Sequence, residues 1–78
     1  MIEVTILSPR EVVFSGQAES VTFPGEQGVF EVRSFHRSLV SRLLPGMVII
    51  DRQWLGVRRG IVRVAQGSVT AIVEPDEA

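Results

Sequence analysis

The chain has 78 residues, a formal net charge of −1 and 45% hydrophobic residues. This length allows one small domain, whose core buries roughly 60% of the surface of the unfolded chain, and the near-neutral charge excludes a bulk field that would draw the protein to nucleic acid or to an anionic membrane. The sequence contains neither cysteine nor lysine, which excludes disulfides, thiolate catalysis, a Walker A phosphate loop and Schiff-base chemistry.

The opening residues predict a first antiparallel pair of strands. Between residues 2 and 7, the side chains of Ile2, Val4 and Ile6 share one face, and Val12 and Phe14 share a face after the Ser8-Pro9 turn. This start lacks the basic flank of a secretory signal, and no apolar run in the chain is long enough to cross a bilayer.

The next segments predict a hairpin followed by a further extended stretch. Residues 17–23 and 28–33 have extended-type sequence on either side of Gly25-Glu26-Gln27-Gly28. This glycine-containing tip resembles a phosphate cradle, but a hairpin is favoured because no lysine is present and no helix follows. Residues 39–44 favour a strand over a helix, since Pro45 would stop a helix after one or two turns.

The last strands complete an all-β pattern. Residues 48–50 are apolar on both faces, and residues 61–65 and 68–73 form a pair around Gln66-Gly67. Turn signals recur at short intervals, at Ser8-Pro9, Ser15-Gly16, Pro24-Gly25, Gln27-Gly28, Pro45-Gly46, Leu55-Gly56, Arg59-Gly60 and Gln66-Gly67. We therefore predict a β-sandwich over residues 1–74, with a frayed tail over residues 75–78.

Few residues are available for catalysis. His36 is the only histidine, and the nearest acid in the sequence, Glu31, lies on a neighbouring segment with no evident pairing. One histidine without cysteine cannot form a zinc site, and none of the seven serines lies in a Gly-x-Ser-x-Gly turn. We predict no catalytic residue, no cofactor and no metal ion.

The arginines fall into two groups with different neighbours. Arg52, Arg58 and Arg59 with Trp54 combine cations and an aromatic ring, as a surface for single-stranded nucleic acid would, although a solvated strand surface explains them as well. The other group alternates arginine with large apolar residues, as is typical of a protein interface. This second group consists of Arg33, Arg37 and Arg42 with Phe35, Leu39, Val40 and Leu43.

Three stretches, in order along the chain, carry a resemblance to a known family. The opening VTILSPREVVFSGQAESVTFPGEQGVF contains a Ser-Pro turn, a Phe-Ser-Gly turn and a hairpin that closes on glycine; FHRSLV followed by SRLLPGMVII matches a GHAPLL motif before a Pro-Gly turn; and RGIVRVAQGSVTAIVE matches GGILEV…GNVTVLA. From about Ile2 to Glu74 the chain resembles the N-terminal β-sandwich of the ε subunit of F-type ATP synthases. It departs from the family around His36, where Phe35, Arg37 and Ser38 stand in place of Gly, Ala and Pro.

The resemblance implies a fold, a role and partners. The fold is a sandwich of about ten strands in two five-stranded antiparallel sheets, and the role is that of a non-catalytic rotor subunit that joins the γ shaft to the polar loops of the membrane c-ring. It implies no cofactor and no nucleic acid, and a peripheral position on the cytoplasmic face of the bacterial inner membrane, held there only through the complex. By resemblance, the γ-facing residues are Ser8, His36, Val40 and Met47, and the c-ring-facing residues are Gln27, Gly28, Val29 and Phe30. Arg37 and Arg42 would add γ contacts that are peculiar to this chain.

Family members often continue into a C-terminal helical hairpin that can inhibit ATP hydrolysis and in some members binds ATP. This sequence stops at Ala78, just after the predicted sandwich. If the chain is complete, we expect it to couple rotation without braking through such a hairpin. The alternative is a small β-barrel that binds single-stranded nucleic acid through Trp54 and its neighbouring arginines, whereas a biotinyl or lipoyl carrier is excluded because it needs an acceptor lysine.

Overall fold

Eight β-strands make up the protein in a computed structural model that describes residues 1–76. The strands are β1 Ile2–Leu7, β2 Val12–Ala18, β3 Val21–Gly25, β4 Gly28–Val32, β5 Leu39–Leu43, β6 Gly46–Ile50, β7 Gln53–Ala65 and β8 Ser68–Pro75. No helix occurs within residues 1–76, and the all-β prediction is confirmed. The predicted strand over residues 39–44 and the hairpins at Gly25–Gly28 and Gln66-Gly67 are present.

The long strand β7 joins two layers of the sandwich. Its first part, Gln53 to Val57, pairs with β6, and its second part, from Gly60 to Ala65, pairs with β5 and β8. A shift in register between Val57 and Arg59 separates the two parts, and such a bulge bends a strand. The five-strand layer therefore has the order β2-β1-β8-β7-β5, and the four-strand layer has the order β4-β3-β6-β7.

The expected ten strands in two five-stranded antiparallel sheets need correction in number and direction. The structure has eight strands, arranged as one layer of five and one layer of four, and β7 contributes to both layers. The layers are also hydrogen-bonded to each other where Gly25 of β3 pairs with Leu43 of β5. One pair, β1 with β8, is parallel, with Val4 opposite Val69 and Ile6 opposite Ala71. The first and last strands therefore lie side by side and run in the same direction.

Three predicted turns are wrong because their glycines lie inside strands. Ser15-Gly16 belongs to β2, and Leu55-Gly56 and Arg59-Gly60 belong to β7. At Gly60, a Cβ atom would lie 2.5 Å from the carbonyl oxygen of Ile72 and 3.0 Å from the Cα of Val73. This glycine is therefore required by the close approach of another strand and not by a turn.

The predicted strand over residues 17–23 is two segments. Ala18 ends β2, Val21 begins β3, and the intervening Glu19 and Ser20 donate their backbone amides to the carboxylate of Asp51, each at 3.1 Å to Oδ1. Asp51 itself lies in the unpredicted turn between β6 and β7, where its φ is +52°. Aspartate tolerates the left-handed region better than most residues.

The core lies between the two layers and contains side chains from all eight strands. The buried apolar residues are Ile2, Val4, Ile6, Ala18, Val21, Phe23, Val32, Leu43, Val48, Ile50, Val57, Val62, Val64, Val69, Ala71 and Val73. The predicted inward face of β1 is thus confirmed. Val12 is exposed, because the register shifts between Ile6 and Leu7 so that Phe14 pairs with Ile6 and Val12 with Leu7.

The C-terminal tail was expected to fray over residues 75–78. Pro75 is the last residue of β8, and the amide of Asp76 donates a 2.9 Å hydrogen bond to the carbonyl of Gly56. Residues 77 and 78 lie outside the described residues.

Candidate docking surface

An apolar row crosses the outer face of the five-strand layer. The strand register places Val12 opposite Leu7, Leu7 opposite Ile72, Ile72 opposite Ile61, and Ile61 opposite Arg42. Ile61 and Ile72 are 51% and 57% exposed, although a sheet face that meets water normally carries polar residues at such positions. We call these five residues the outer row.

Further apolar and charged side chains border the outer row at its β5 end. Val40 and Leu44 are exposed, and Arg63 lies beside Val40 on the neighbouring strand. A shallow depression on this face is lined by Pro9, Arg42, Leu44, Ile61, Ile72 and Glu74, among others. A contiguous apolar patch with a charged border is the usual form of a protein-binding surface.

The charged side chains near the bend of β7 are partly neutralised. The Nε of Arg59 donates a 2.9 Å hydrogen bond to Glu74, and Nη1 of Arg58 lies 3.8 Å from the other oxygen of the same carboxylate. Arg52 lies at the opposite end of the β6–β7 hairpin, roughly 20 Å away along six extended residues. The nucleic-acid alternative is therefore disfavoured, because its cations are spread along the hairpin and two of them share a carboxylate.

Three of the six residues predicted to face γ lie at the ends of the outer row. Val40 and Arg42 project from β5, whereas Ser8 lies in the turn after β1, where its Oγ accepts hydrogen bonds from the amides of Arg10 and Glu11 at 3.2 Å. These residues are separated by the two isoleucines of the row, so one partner surface laid along it would reach both ends.

The other three predicted γ-facing residues lie elsewhere. Met47 is on β6 in the four-strand layer, with its sulfur over Gly56, 3.7 Å from the position of a Cβ there. His36 and Arg37 belong to the loop between β4 and β5. The Nδ1 of His36 lies 2.7 Å from the carbonyl oxygen of Arg37, and since a carbonyl only accepts, this nitrogen carries a proton. The histidine thus has a structural hydrogen bond and no carboxylate partner within residues 1–76.

The four predicted c-ring-facing residues form the tip of the β3–β4 hairpin. Gln27 is in the turn, Gly28 has a φ of +124°, and Val29 is 74% exposed. Phe30 points inward, with its ring centroid 5.7 Å from that of the buried Phe23. Of the two apolar side chains expected at this tip, Val29 is exposed, and Phe30 packs against the core.

The hairpin tip, Arg37 of the β4–β5 loop and residues of β5 line one groove. Its walls include Gln27 and Val29 from the tip, and Arg37, Val40 and Arg42 from the other side. The groove therefore brings the hairpin tip next to three of the six predicted γ-facing residues, Arg37, Val40 and Arg42, at the β5 end of the outer row.

Sequence reasoning did not find Ile61 and Ile72. Both lie in segments predicted as strands, and the sequence analysis assigns no role to either side chain. A signal was present, because Ile61 and Ile72 each break the alternation set by buried neighbours: Val62 and Val64 in β7, and Ala71 and Val73 in β8. Apolar residues on both faces of a strand indicate either a covering layer or an interface.

Features of other functional classes are absent from the part of the chain that the structure describes. Residues 1–76 contain no cluster of three or more His, Asp or Glu side chains that could hold a metal ion, and none of their buried residues is polar or charged. None of the described segments forms a helix with the length and apolarity needed to cross a membrane.

Comparison with known proteins identifies the family. Among curated proteins, the chain is 37% identical to the ATP synthase epsilon chain of a Nitratiruptor species and 36% identical to that of Sulfurimonas denitrificans, in each case covering 94% of this chain and 60% of the relative. The chain thus spans about 60% of the length of these relatives.

Solved structures show the same fold at lower identity. A chain of the Tetrahymena thermophila mitochondrial ATP synthase, in a cryo-EM structure of its central stalk and c-ring, superposes with a TM-score of 0.76 at 16% identity, over 94% of this chain and 63% of that one. A chain of the Euglena gracilis mitochondrial ATP synthase gives 0.84 at 19% identity, over 92% and 49%. The family described as ATP synthase, Delta/Epsilon chain, beta-sandwich domain matches residues 1–77. The chain therefore belongs to the ATP synthase delta/epsilon β-sandwich family.

Proposed function

We propose that this chain serves as the β-sandwich of a non-catalytic central-stalk subunit in an F-type ATP synthase, where it joins the γ shaft to the c-ring. The observation that carries the proposal is the outer row, an exposed apolar stripe on a domain of this family. Its relatives are named ATP synthase epsilon chains, and one structural neighbour comes from a central stalk with its c-ring. In the complex, the protein would be peripheral to the membrane, on the cytoplasmic face in a bacterium.

The γ shaft is the proposed occupant of the outer row. Ile61 and Ile72 lie at its centre, with Ser8 at one end and Val40 and Arg42 at the other. Burial of such apolar side chains supplies most of the free energy of a stable contact, and the flanking arginine adds directed hydrogen bonds. The domain measures 34 × 26 × 21 Å, so one broad face can provide the roughly 800 Å² per partner of a standard interface.

The hairpin tip is the proposed contact to the c-ring. Val29 is the exposed apolar side chain there, and Gln27 and the exposed backbone at Gly28 can hydrogen-bond to polar loops. Since Phe30 ties this hairpin to Phe23 in the core, a force applied at the tip is passed to the body of the domain.

The test compares two substitutions on the same strand. Ile61→Asp places a charge in the outer row, and Trp54→Asp places one on the first part of β7, where Trp54 is 66% exposed and faces outward from the four-strand layer. We expect Ile61→Asp to weaken binding to the cognate γ subunit by at least about 30-fold, as for an interface hot spot, and Trp54→Asp to leave it nearly unchanged. The readout is isothermal titration of purified γ with the folded variants, with circular dichroism as the check on folding.

Either of two results would contradict this assignment. If both variants lose the same affinity for γ, the binding face is not the outer row. If Ile61→Asp binds γ as tightly as the wild type does, the outer row is not part of the contact. Binding of labelled oligonucleotide by the wild-type chain, lost in Trp54→Asp, would instead support the nucleic-acid alternative.

A further inference from the structure

The turn after β4 carries the most exposed large apolar side chain of the described residues. Phe35 is 99% exposed, and its φ is +68°. The amide of His36 donates a 3.2 Å hydrogen bond to the carbonyl of Arg33, so Ser34 and Phe35 are the central residues of a β-turn. A positive φ at the second central position favours glycine or asparagine, and a bulky residue there is strained.

The positive φ and the exposed ring of Phe35 are both unfavourable for the stability of the isolated domain. The left-handed backbone lowers the stability of the folded state, and the ring gains nothing from the domain because it contacts almost none of it. A strained residue whose side chain meets only solvent indicates a contact outside the domain.

The charge around Phe35 indicates what kind of surface the ring meets. Residues 33–42 contain three arginines and a histidine but no acidic residue. Arg33 is paired with Glu31 at 3.0 Å, whereas neither Arg37 nor Arg42 lies within ion-pair distance of a carboxylate in residues 1–76. A complementary surface would therefore bring carboxylates around an apolar site.

The position of Phe35 connects it to the surface proposed for γ. Arg37 lines both the groove beside Phe35, with Met1 and Gln66, and the groove that contains Val40 and Arg42. The turn is also held in place, through its own hydrogen bond and that between His36 and the Arg37 carbonyl. Because the backbone that carries the ring is already ordered, binding costs conformational entropy for the Phe35 side chain alone.

We propose that Phe35 is an interface anchor that inserts into an apolar socket bordered by carboxylates on the shaft subunit. This inference rests on the proposed function, because it takes the shaft as the partner, and it adds a specific residue and the chemistry of the complementary site. Arg37, next to the anchor, pairs with the socket's carboxylates.

The decisive variant is Phe35→Gly, which removes the ring and at the same time relieves the positive φ. We expect its Tm to equal or exceed that of the wild type, while the Kd for purified shaft subunit rises by at least about 30-fold. A residue with a merely structural role would lose stability and binding together. Phe35→Ala should show the same loss of affinity with a lower Tm than Phe35→Gly, because alanine keeps the strain, and Phe35→Trp should bind within about threefold of wild type because an aromatic anchor is retained.

The outcomes separate this inference from the proposed function. If the wild type binds, Ile61→Asp fails to bind and Phe35→Gly binds as well as wild type, the anchor is wrong and the proposed function stands. If the wild-type chain does not bind the shaft subunit at all, both are wrong. The wild-type chain could instead form a dimer, or associate with vesicles of equimolar phosphatidylcholine and phosphatidylglycerol. If Phe35→Gly abolishes that association while its affinity for the shaft subunit is unchanged, Phe35 has a different occupant and the proposal is overturned.

Arg37→Glu should weaken shaft binding and reduce its dependence on salt; an unchanged salt dependence would count against the carboxylate border.

Discussion

Asp51 connects two turns through its carboxylate and its backbone. Its Oδ1 accepts the amides of Glu19 and Ser20, and its own amide donates to the carbonyl of Ser20 at 3.1 Å. The turn between β2 and β3 is thereby fastened to the turn between β6 and β7. The left-handed φ of Asp51 is tolerated because the residue is an aspartate and because these bonds hold it.

Asp51→Ala should lower the free energy of unfolding by roughly 2 kcal/mol, since two backbone amides lose a charged acceptor and alanine is strained at positive φ. Asp51→Asn should lose about half as much, because asparagine keeps one oxygen acceptor and tolerates this backbone. Urea unfolding followed by Trp54 fluorescence measures both. The matched control is Arg52→Ala in the same turn, for which a change beyond about 0.5 kcal/mol is not expected; an Asp51→Ala variant as stable as this control would show that the connection is unimportant.

At the level of strands, the glycines of β2 and β7 have different roles that sequence patterns do not separate. At Gly60 the paired strand β8 comes so close that a Cβ atom would meet its backbone, whereas at Gly16 the nearest atoms to an added Cβ belong to the ring of Phe14, at 3.6 Å. Ser15-Gly16 and Arg59-Gly60 are glycine-containing pairs that recur at short intervals with the other turn signals, and the sequence therefore predicts turns at both sites. The distinction depends on how closely another strand approaches, and that is a property of tertiary packing.

Gly60→Ala should destabilise the domain by about 3 kcal/mol, because the new methyl group meets backbone atoms of Ile72 and Val73 that cannot rotate away. Gly16→Ala should be neutral or slightly stabilising, since glycine weakens a strand interior. Thermal unfolding distinguishes the two, with about 4–8 °C per kcal/mol expected for a domain of this size. Equal Tm values for both variants would mean that β7 and β8 can separate at Gly60 without penalty.

The strand order was less accessible to sequence reasoning than the strands themselves. Alternation in β1, apolar runs in β6 and the Gln66-Gly67 turn sufficed to place most strands and to predict two packed layers. The continuity of β7 through two glycines, the parallel pairing of β1 with β8 and the outward isoleucines could not be predicted, because each depends on residues far apart in sequence. Likewise, the full exposure of Phe35 and the inward turn of Phe30 are set by the path of the backbone and not by residue type.

For the whole molecule, the feature that relates to function is the closed ring of hydrogen-bonded strands β7, β6, β3 and β5. β7 pairs with β6 and β5, and each of these pairs with β3, so the two layers are joined at two places, through β7 itself and between β3 and β5. The hairpin tip and the outer row are parts of this one body. A domain built in this way suits the transfer of torque between two partners, as the proposed function requires.

In a reconstituted ATP synthase that contains this subunit, Val29→Asp should leave ATP hydrolysis largely intact and reduce ATP-driven ion uptake into vesicles by severalfold. The reason is that a charge at the tip would weaken the proposed contact to the c-ring without affecting the catalytic subunits. Gln17→Asp, on the edge strand β2 away from the tip, is the control and should pump normally. Full pumping by Val29→Asp would remove the tip from the coupling contact.

The parallel arrangement of the first and last strands also decides where a reporter can be attached. β1 begins beside the Phe35 turn, where Met1 and Gly67 line the same groove, while β8 ends at Pro75 beside Ser8 and Arg10. A fluorophore, bead or fusion partner tethered at Met1 would crowd the proposed anchor Phe35, and one tethered near Pro75 would lie beside Ser8, at one end of the surface proposed for γ. A reporter for rotation assays or surface immobilisation should therefore be attached away from both ends of this strand pair.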